Sequence, residues 1–178
     1  MKSSNQPSFL CLFSYYDLIF LCSVIGNNAY TEGGDIVGYK TCFFLGHRDA
    51  PESIRPALER AVERHVVQFG VTDFVVGRYG KFDAMSAHAV ADAKMRHPSV
   101  TLTLLLPYYV AEPKKIAHAE LFDDTFYPPG MERVPRRLAI LRANRYMVMH
   151  SDYLISYGHT PGTTKDLVDY AIRREKRE

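Results

Sequence analysis

Residues 72–97 read TDFVVGRYGKFDAMSAHAVADAKMRH, and this stretch decides the fold. It starts with a β-prone apolar run, residues 72–76, which ends at Gly77. A glycine-rich segment follows, and residues 83–97 then form an alanine-rich helical run that Pro98 stops. Small side chains let such a helix lie close to a sheet. A strand, a glycine-rich turn and a helix in this order predict one unit of an α/β fold.

The same alternation continues on both sides of this unit. Strands are predicted at residues 41–45, 100–106 and 153–156, with a further short strand near 125–126. Helices are predicted at 54–69, 135–150 and 163–174. The run 100–106 is almost unbroken in its apolar character, which is typical of a strand covered on both faces. Residues 41–178 are therefore predicted to form an α/β domain, a Rossmann-like three-layer α/β/α arrangement with a mainly parallel sheet of about five strands.

Residues 1–40 are predicted to be an N-terminal extension outside this domain. Within them the apolar run 9–25 raises the alternatives of a signal peptide or a membrane anchor. Asp17 interrupts that run, Lys2 is the only charge ahead of it, and residues 27–29 match a cleavage site poorly. Residues 26–38 hold four glycines and two asparagines and are predicted to be a linker.

Composition narrows the classes of function. The chain has 22 basic and 20 acidic residues, and this near balance argues against a nucleic-acid polymer as partner. The cysteines, Cys11, Cys22 and Cys42, lack metal or redox spacing and fit a reducing cytosol. We therefore expect a cytoplasmic protein with no membrane partner. The histidines lack metal spacing such as H-x-x-x-H, so no metal site is expected, and we expect no cofactor.

The ligand site is predicted at the carboxyl ends of the strands, because open parallel sheets bind ligands there. Three polar or glycine-rich segments arrive at that edge. The first is Gly46, His47 and Arg48, where glycine permits close approach of a ligand and arginine can fork onto a phosphate or carboxylate. The alternative is a tight turn with solvent-facing side chains.

The second segment, residues 77–83, exposes backbone N–H groups at a helix start, which favours an anion. Phe82 is open to two interpretations, cover for a base or core packing, and so is Asp83, which could cap the helix or bind a ribose hydroxyl. The third segment, residues 158–164, again places small and hydroxyl residues before a helix. The remaining candidates in these two segments are Gly77, Arg78, Gly80, His159, Pro161, Gly162, Thr163 and Thr164.

The helix predicted at 135–150 adds polar candidates. Arg142 and Arg145 share one helical face, and either clamp an anion or form a surface pair. Asn144 lies on an otherwise apolar stripe, where a buried amide needs partners from a loop or from the ligand. Arg145 and Asn144 are included in the predicted ligand site.

Together these segments resemble the SLOG superfamily, which joins the fold of the DNA-processing protein A to the LOG (Lonely Guy) proteins. The match is closest to its YpsA-like branch, also called DUF1273. The resemblance is carried by residues 46–48 (GHR), 77–88 (GRYGKFDAMSAH), 144–148 (NRYMV) with Ser151 and Asp152, and 161–164 (PGTT) with Tyr170 and Ala171. It implies a Rossmann-like domain that binds a nucleotide or a nucleotide-derived molecule, and it is compatible with a homodimer.

LOG relatives are nucleoside-monophosphate phosphoribohydrolases, which release the base and leave ribose phosphate. They use an arginine before the Ser-Asp pair and a glutamate after a glycine-rich loop. At these positions the resemblance points to Ala143, one residue from Arg142, and to Leu167, one residue from Asp166. The sequence therefore departs from the LOG pattern at both catalytic positions.

Three functions remain as hypotheses. The first is a nucleotide-derivative-binding domain that acts as a sensor or ligand module. The second is a LOG-like hydrolase of the N-glycosidic bond, in which Asp83 or Asp166 stabilises charge on the ribose and His47 or His159 protonates the leaving base. The third is an interaction or oligomer scaffold whose interface uses some of the 12 tyrosines.

Overall fold

The computed structural model describes residues 14–15, 18–22, 39–111, 118–158 and 161–175. The strands of this part of the chain are β1 (Ser14–Tyr15), β2 (Leu18–Cys22), β3 (Lys40–Gly46), β4 (Val71–Val76), β5 (Thr101–Leu105), β6 (Asp124–Phe126) and β7 (Tyr153–Tyr157). The helices are α1 (Arg55–Phe69), α2 (Lys81–Lys94), α3 (Arg136–His150) and α4 (Thr163–Glu175). None of these helices combines the length and the apolar character needed to cross a bilayer.

The strands form one sheet in the order β1-β2-β7-β3-β4-β5-β6. The five strands from β3 to β7 pair in parallel, and helices alternate with them along the chain. The prediction of a three-layer α/β fold of the Rossmann type, with a mainly parallel sheet, is therefore confirmed. The chain runs outward from β3 through β6 and then returns to place β7 on the other side of β3, so the strand order switches beside β3.

Two strands of the N-terminal segment belong to the sheet. β2 pairs antiparallel with β7 over the register Leu18↔Tyr157 to Cys22↔Tyr153, and β1 pairs with β2. The expectation that residues 1–40 lie outside the fold is corrected for these strands. The physical reason is that β7 would otherwise present a row of unpaired backbone groups at the sheet edge. The predicted linker, residues 26–38, lies outside the described residues.

Side chains alternate between two cores, one on each face of the sheet. On β3, Cys42 and Phe44 face the layer of α1 and α2, whereas Phe43 and Leu45 face the layer of α3 and α4. All four are nearly or fully buried. This two-sided burial explains why the parallel strands read as continuous apolar runs instead of alternating with polar residues.

Asp152 links the amino ends of two neighbouring strands, β7 and β3, by hydrogen bonds. Its carboxylate accepts a hydrogen bond from the Thr41 N–H at 2.8 Å, and its own N–H donates to the Thr41 carbonyl at 2.9 Å. These bonds join the start of β7 to the start of β3. Ser151 and Asp152, which contribute to the family resemblance, therefore lie at the edge of the sheet opposite the carboxyl ends of the strands. The role observed for Asp152 is structural, because it joins two strands there.

Candidate functional site

A cleft of about 460 Å³ opens at the carboxyl ends of β3 and β4, beside the switch in strand order. Its walls come from the loops after these two strands, from the first turn of α2, from α3 and from the start of α4. The lining residues are Phe44, Leu45, Gly46, His47, Arg48, Gly77, Tyr79, Gly80, Asp83, Arg137, Ile140, Leu141, Asn144, Thr163 and Thr164.

The loops after β3 and β4 are joined where α2 begins. The Lys81 N–H donates to the Arg48 carbonyl at 2.7 Å. A Cβ on Gly80 would lie 2.6 Å from the Arg48 Cα, so only glycine allows the two backbones to come this close. This bond accounts for the start of α2 at Lys81, two residues before the predicted start at Asp83. The helix begins beside the first loop and directs its N-terminus toward the cleft.

Phe82 lies below the cleft in the core. It is fully buried, stacks with Tyr157 at 6.2 Å between ring centroids, and meets Phe44 edge-on at 6.4 Å. Gly46 passes directly over the ring, because a Cβ there would overlap the atoms of Phe82. Of the two predicted roles for Phe82, core packing is the one observed. The ring supports the floor of the site and is not among its lining residues.

Asp83 forms part of the cleft wall from the first turn of α2. Its carboxylate accepts a hydrogen bond from the Tyr79 N–H at 2.8 Å and is also bonded by the Gly80 N–H. Burial raises the pKa of this carboxyl to about 6, although the two backbone bonds oppose the shift. The observed role is thus to fix the loop before α2, and the carboxyl is a titratable group at the edge of the cleft.

The opposite wall combines α3 with the start of α4. Asn144 and Arg137 come from α3, and Thr163 and Thr164 begin α4. Arg137 and Arg48 are exposed, and neither forms an ion pair with a carboxylate in the described part of the chain. Two arginines and two helix N-termini therefore surround the cleft, an arrangement that favours an anion.

The cleft brings together nine of the predicted ligand-site residues: Gly46, His47, Arg48, Gly77, Gly80, Asp83, Asn144, Thr163 and Thr164. Five others do not line it: Arg78, Phe82, Arg145, Pro161 and Gly162. His159 lies outside the described residues. Arg145 lines a second cavity instead, and its guanidinium also lies 5.0 Å from the centroid of the Tyr170 ring on α4.

The positions to which the resemblance to LOG proteins points do not line the cleft. Ala143 is fully buried on the sheet side of α3, and Leu167 is buried in the same core. Asp166 is exposed in the first turn of α4 and does not line the cleft. Arg142 lines a different cavity. Among the described residues no group of three metal-ligating side chains is present.

Six residues that line the cleft were not among the predicted ligand-site residues: Phe44, Leu45, Tyr79, Arg137, Ile140 and Leu141. Arg137 precedes Asn144 by seven residues, and this spacing places both side chains on the same helical face. Because Asn144 was already a predicted ligand-site residue, this spacing could have identified Arg137 from the sequence. No protein-family model and no curated protein sequence matches this chain, so the chemistry of the site rests on the cleft itself.

Proposed function

We propose that the protein binds a nucleotide or a nucleotide-derived small molecule in this cleft, as a sensor or ligand module. The observation that carries the proposal is the pairing of two exposed arginines, Arg48 and Arg137, with the starts of α2 and α4 around one cavity of about 460 Å³. Helix N-termini and arginines both favour phosphate groups. The volume lies within the range common for small-molecule sites, roughly 300–1,000 Å³.

The cleft offers a different surface for each part of such a ligand. Thr163 and Thr164 place hydroxyls and backbone N–H groups at the start of α4, where a phosphate is favoured. Ile140 and Leu141 provide an apolar strip for the face of a base, and Tyr79 contributes an aromatic ring. The amide of Asn144 also lines the cleft from α3 and can bond a ribose hydroxyl.

A thermal-shift panel tests the proposal with AMP, ADP-ribose, cyclic AMP, NAD and inorganic phosphate. A ligand at about a hundred times its Kd adds roughly 2.7 kcal/mol of stability and raises the melting temperature. We expect Arg137→Gln to weaken the binding of such a ligand about tenfold, since a charge-assisted bond contributes roughly 1.5–3 kcal/mol.

The matched control is Arg136→Gln, one residue earlier on α3. The guanidinium of Arg136 lies 4.9 Å from the centroid of the Tyr108 ring and does not line the cleft. Equal loss of affinity in both variants would show that general charge, and not the cleft, binds the ligand. If no compound in the panel raises the melting temperature, the proposal fails.

A second candidate, hydrolysis of an N-glycosidic bond in a nucleotide, has one observation in its favour. Asp83 and His47 both line the cleft, and a carboxyl with a pKa of about 6 is mostly ionised at neutral pH, as the stabilisation of positive charge requires. In this mechanism the N-glycosidic bond breaks as His47 protonates the departing base, and Asp83 stabilises the positive charge on the ribose. A water molecule then adds to C1′ of the ribose and releases a proton to solvent. Chromatography of nucleoside monophosphates incubated with the protein tests it. Base release that persists unchanged in Asp83→Asn would exclude this mechanism.

A further inference from the structure

A second cavity, of about 410 Å³, lies on a different face of α3 from the main cleft. One wall is the C-terminal half of α3, and the other is the segment of residues 128–134, between β6 and α3. The two cavities share no lining residue. We call the second one the α3 pocket. Its volume, like that of the main cleft, is typical of a small-molecule site.

Positive charge dominates the α3 pocket. Arg142 and Arg145 line it and are exposed, and neither forms an ion pair within the part of the chain that the structure describes. The lining residues include no carboxylate. The helix sequence RRLAILRANRYMVMH likewise contains four arginines and no acidic residue. Two guanidinium groups three residues apart can bind one anion from the same side.

The rest of the pocket suits a flat aromatic group. The Tyr146 ring stacks on His150 at 4.0 Å between centroids and 15°, and it is backed by Phe126 at 5.8 Å. The His150 ring is held in place because its Nδ1 donates to the Tyr146 carbonyl at 2.8 Å. Met131 and Met149 line the pocket as well, and thioethers make favourable contacts with aromatic rings. Guanidinium planes also stack on such rings.

We propose that the α3 pocket binds a small planar anion, an aromatic ring that carries a phosphate or carboxylate group, independently of the main cleft. Arg142 and Arg145 hold the anionic group. The aromatic ring of the ligand lies between the methionines and the Tyr146–His150 pair. This second site does not depend on the function of the main cleft, because the two sets of lining residues are separate.

The methionines provide a direct readout. The chain has six of them, so a protein labelled with carbon-13 at the methionine methyl groups gives a simple NMR spectrum that Met→Leu variants assign. With phenyl phosphate at neutral pH, the resonances of Met131 and Met149 should shift and saturate at millimolar concentration. The resonance of Met95, which is 86% exposed at the end of α2, should stay unchanged.

Comparison ligands and variants separate the parts of the proposal. Benzyl alcohol, which lacks the charge, and inorganic phosphate, which lacks the ring, should each bind at least about tenfold more weakly than phenyl phosphate. Arg142→Gln should weaken phenyl phosphate by about tenfold, whereas Arg60→Gln on α1, on the other face of the sheet, should not. The proposal is overturned if Met131 and Met149 do not respond, if benzyl alcohol or inorganic phosphate binds equally well, or if the two arginine variants behave alike.

Discussion

At the scale of single residues, Asp83 links the pH of the solution to stability. Its pKa is raised to about 6 by burial, so the folded state holds the proton more tightly than the unfolded chain does. The resulting stabilisation is complete below about pH 4 and is lost as the pH rises through 6. It amounts to at most about 3 kcal/mol, because part of Asp83 faces the cleft and solvent.

Asp83→Asn is expected to remove this pH dependence. The amide loses one acceptor for the N–H groups of Tyr79 and Gly80, a cost that is the same at every pH. Relative to the unsubstituted protein, the variant should therefore gain up to about 3 kcal/mol in unfolding free energy between pH 4 and pH 8. Urea unfolding of both proteins at the two pH values measures this. A difference that stays constant with pH would refute the assignment.

His65 acts in the opposite direction. It is buried between Phe69 and Tyr153, and burial is the main cause that lowers its pKa to about 4. Because the unfolded chain takes up this proton near pH 6.5, the stability that neutral His65 provides is complete above that pH and is lost as the pH falls through 4. The shift corresponds to roughly 3 kcal/mol.

His65→Phe keeps an aromatic ring in the same position but cannot take up a proton. Between pH 7.5 and pH 4 the unsubstituted protein should lose about 3 kcal/mol of unfolding free energy relative to this variant. The effects of His65 and Asp83 oppose each other from pH 6 to pH 4, so the unsubstituted protein should show a flatter profile than either variant. Parallel pH profiles for the protein and His65→Phe would show that the pKa of His65 does not differ between the folded and unfolded states.

At the scale of elements, the junction of β3 and α2 is expected to determine whether the cleft floor forms. Gly46→Ala would drive a methyl group into the Phe82 ring, and this ring is fully buried and cannot turn aside. Such overpacking should lower the unfolding free energy by about 3 kcal/mol. Phe82→Leu provides room, so the double variant should lose less stability than the sum of the two single losses. Strictly additive losses, measured by urea unfolding, would mean that the two residues do not meet.

The same junction shows what the sequence can and cannot predict about elements. The apolar runs and the proline and glycine boundaries predict β3, β4, β5 and β7 and all four helices to within a few residues, because these signals are local. The start of α2 at Lys81 is not local, since it depends on a hydrogen bond to Arg48 in another loop. Arg137 was missed for a similar reason, because its place in the cleft depends on how α3 lies against the sheet.

At the scale of the whole molecule, the order of the strands could be inferred only in part. Alternation of strands and helices predicts a parallel sheet, and glycine-rich segments predict the edge where the cleft opens. The antiparallel addition of β2 depends on a pairing between residues 18–22 and residues 153–157, far apart in sequence. Asp17 and the glycines of residues 26–38 are local features, and by themselves they favour an extension outside the domain. They do not indicate which edge of a sheet a strand in this segment would join.

The pairing of β2 with β7 leads to a prediction for the molecule as a whole. Deletion of residues 1–38 leaves β7 at the sheet edge, and its sequence, YLISY, has no charge to discourage association with other chains. The shortened protein should still fold, because the buried core residues that the structure describes all lie between residues 42 and 168. We expect its unfolding free energy to fall by about 2 kcal/mol, since several ladder hydrogen bonds are lost.

Hydrogen exchange of the shortened protein should show faster exchange at the β7 amides that face β2, with β4 protected as before. Sedimentation should show more self-association. Unchanged exchange along β7 would mean that β2 does not cover this edge in solution.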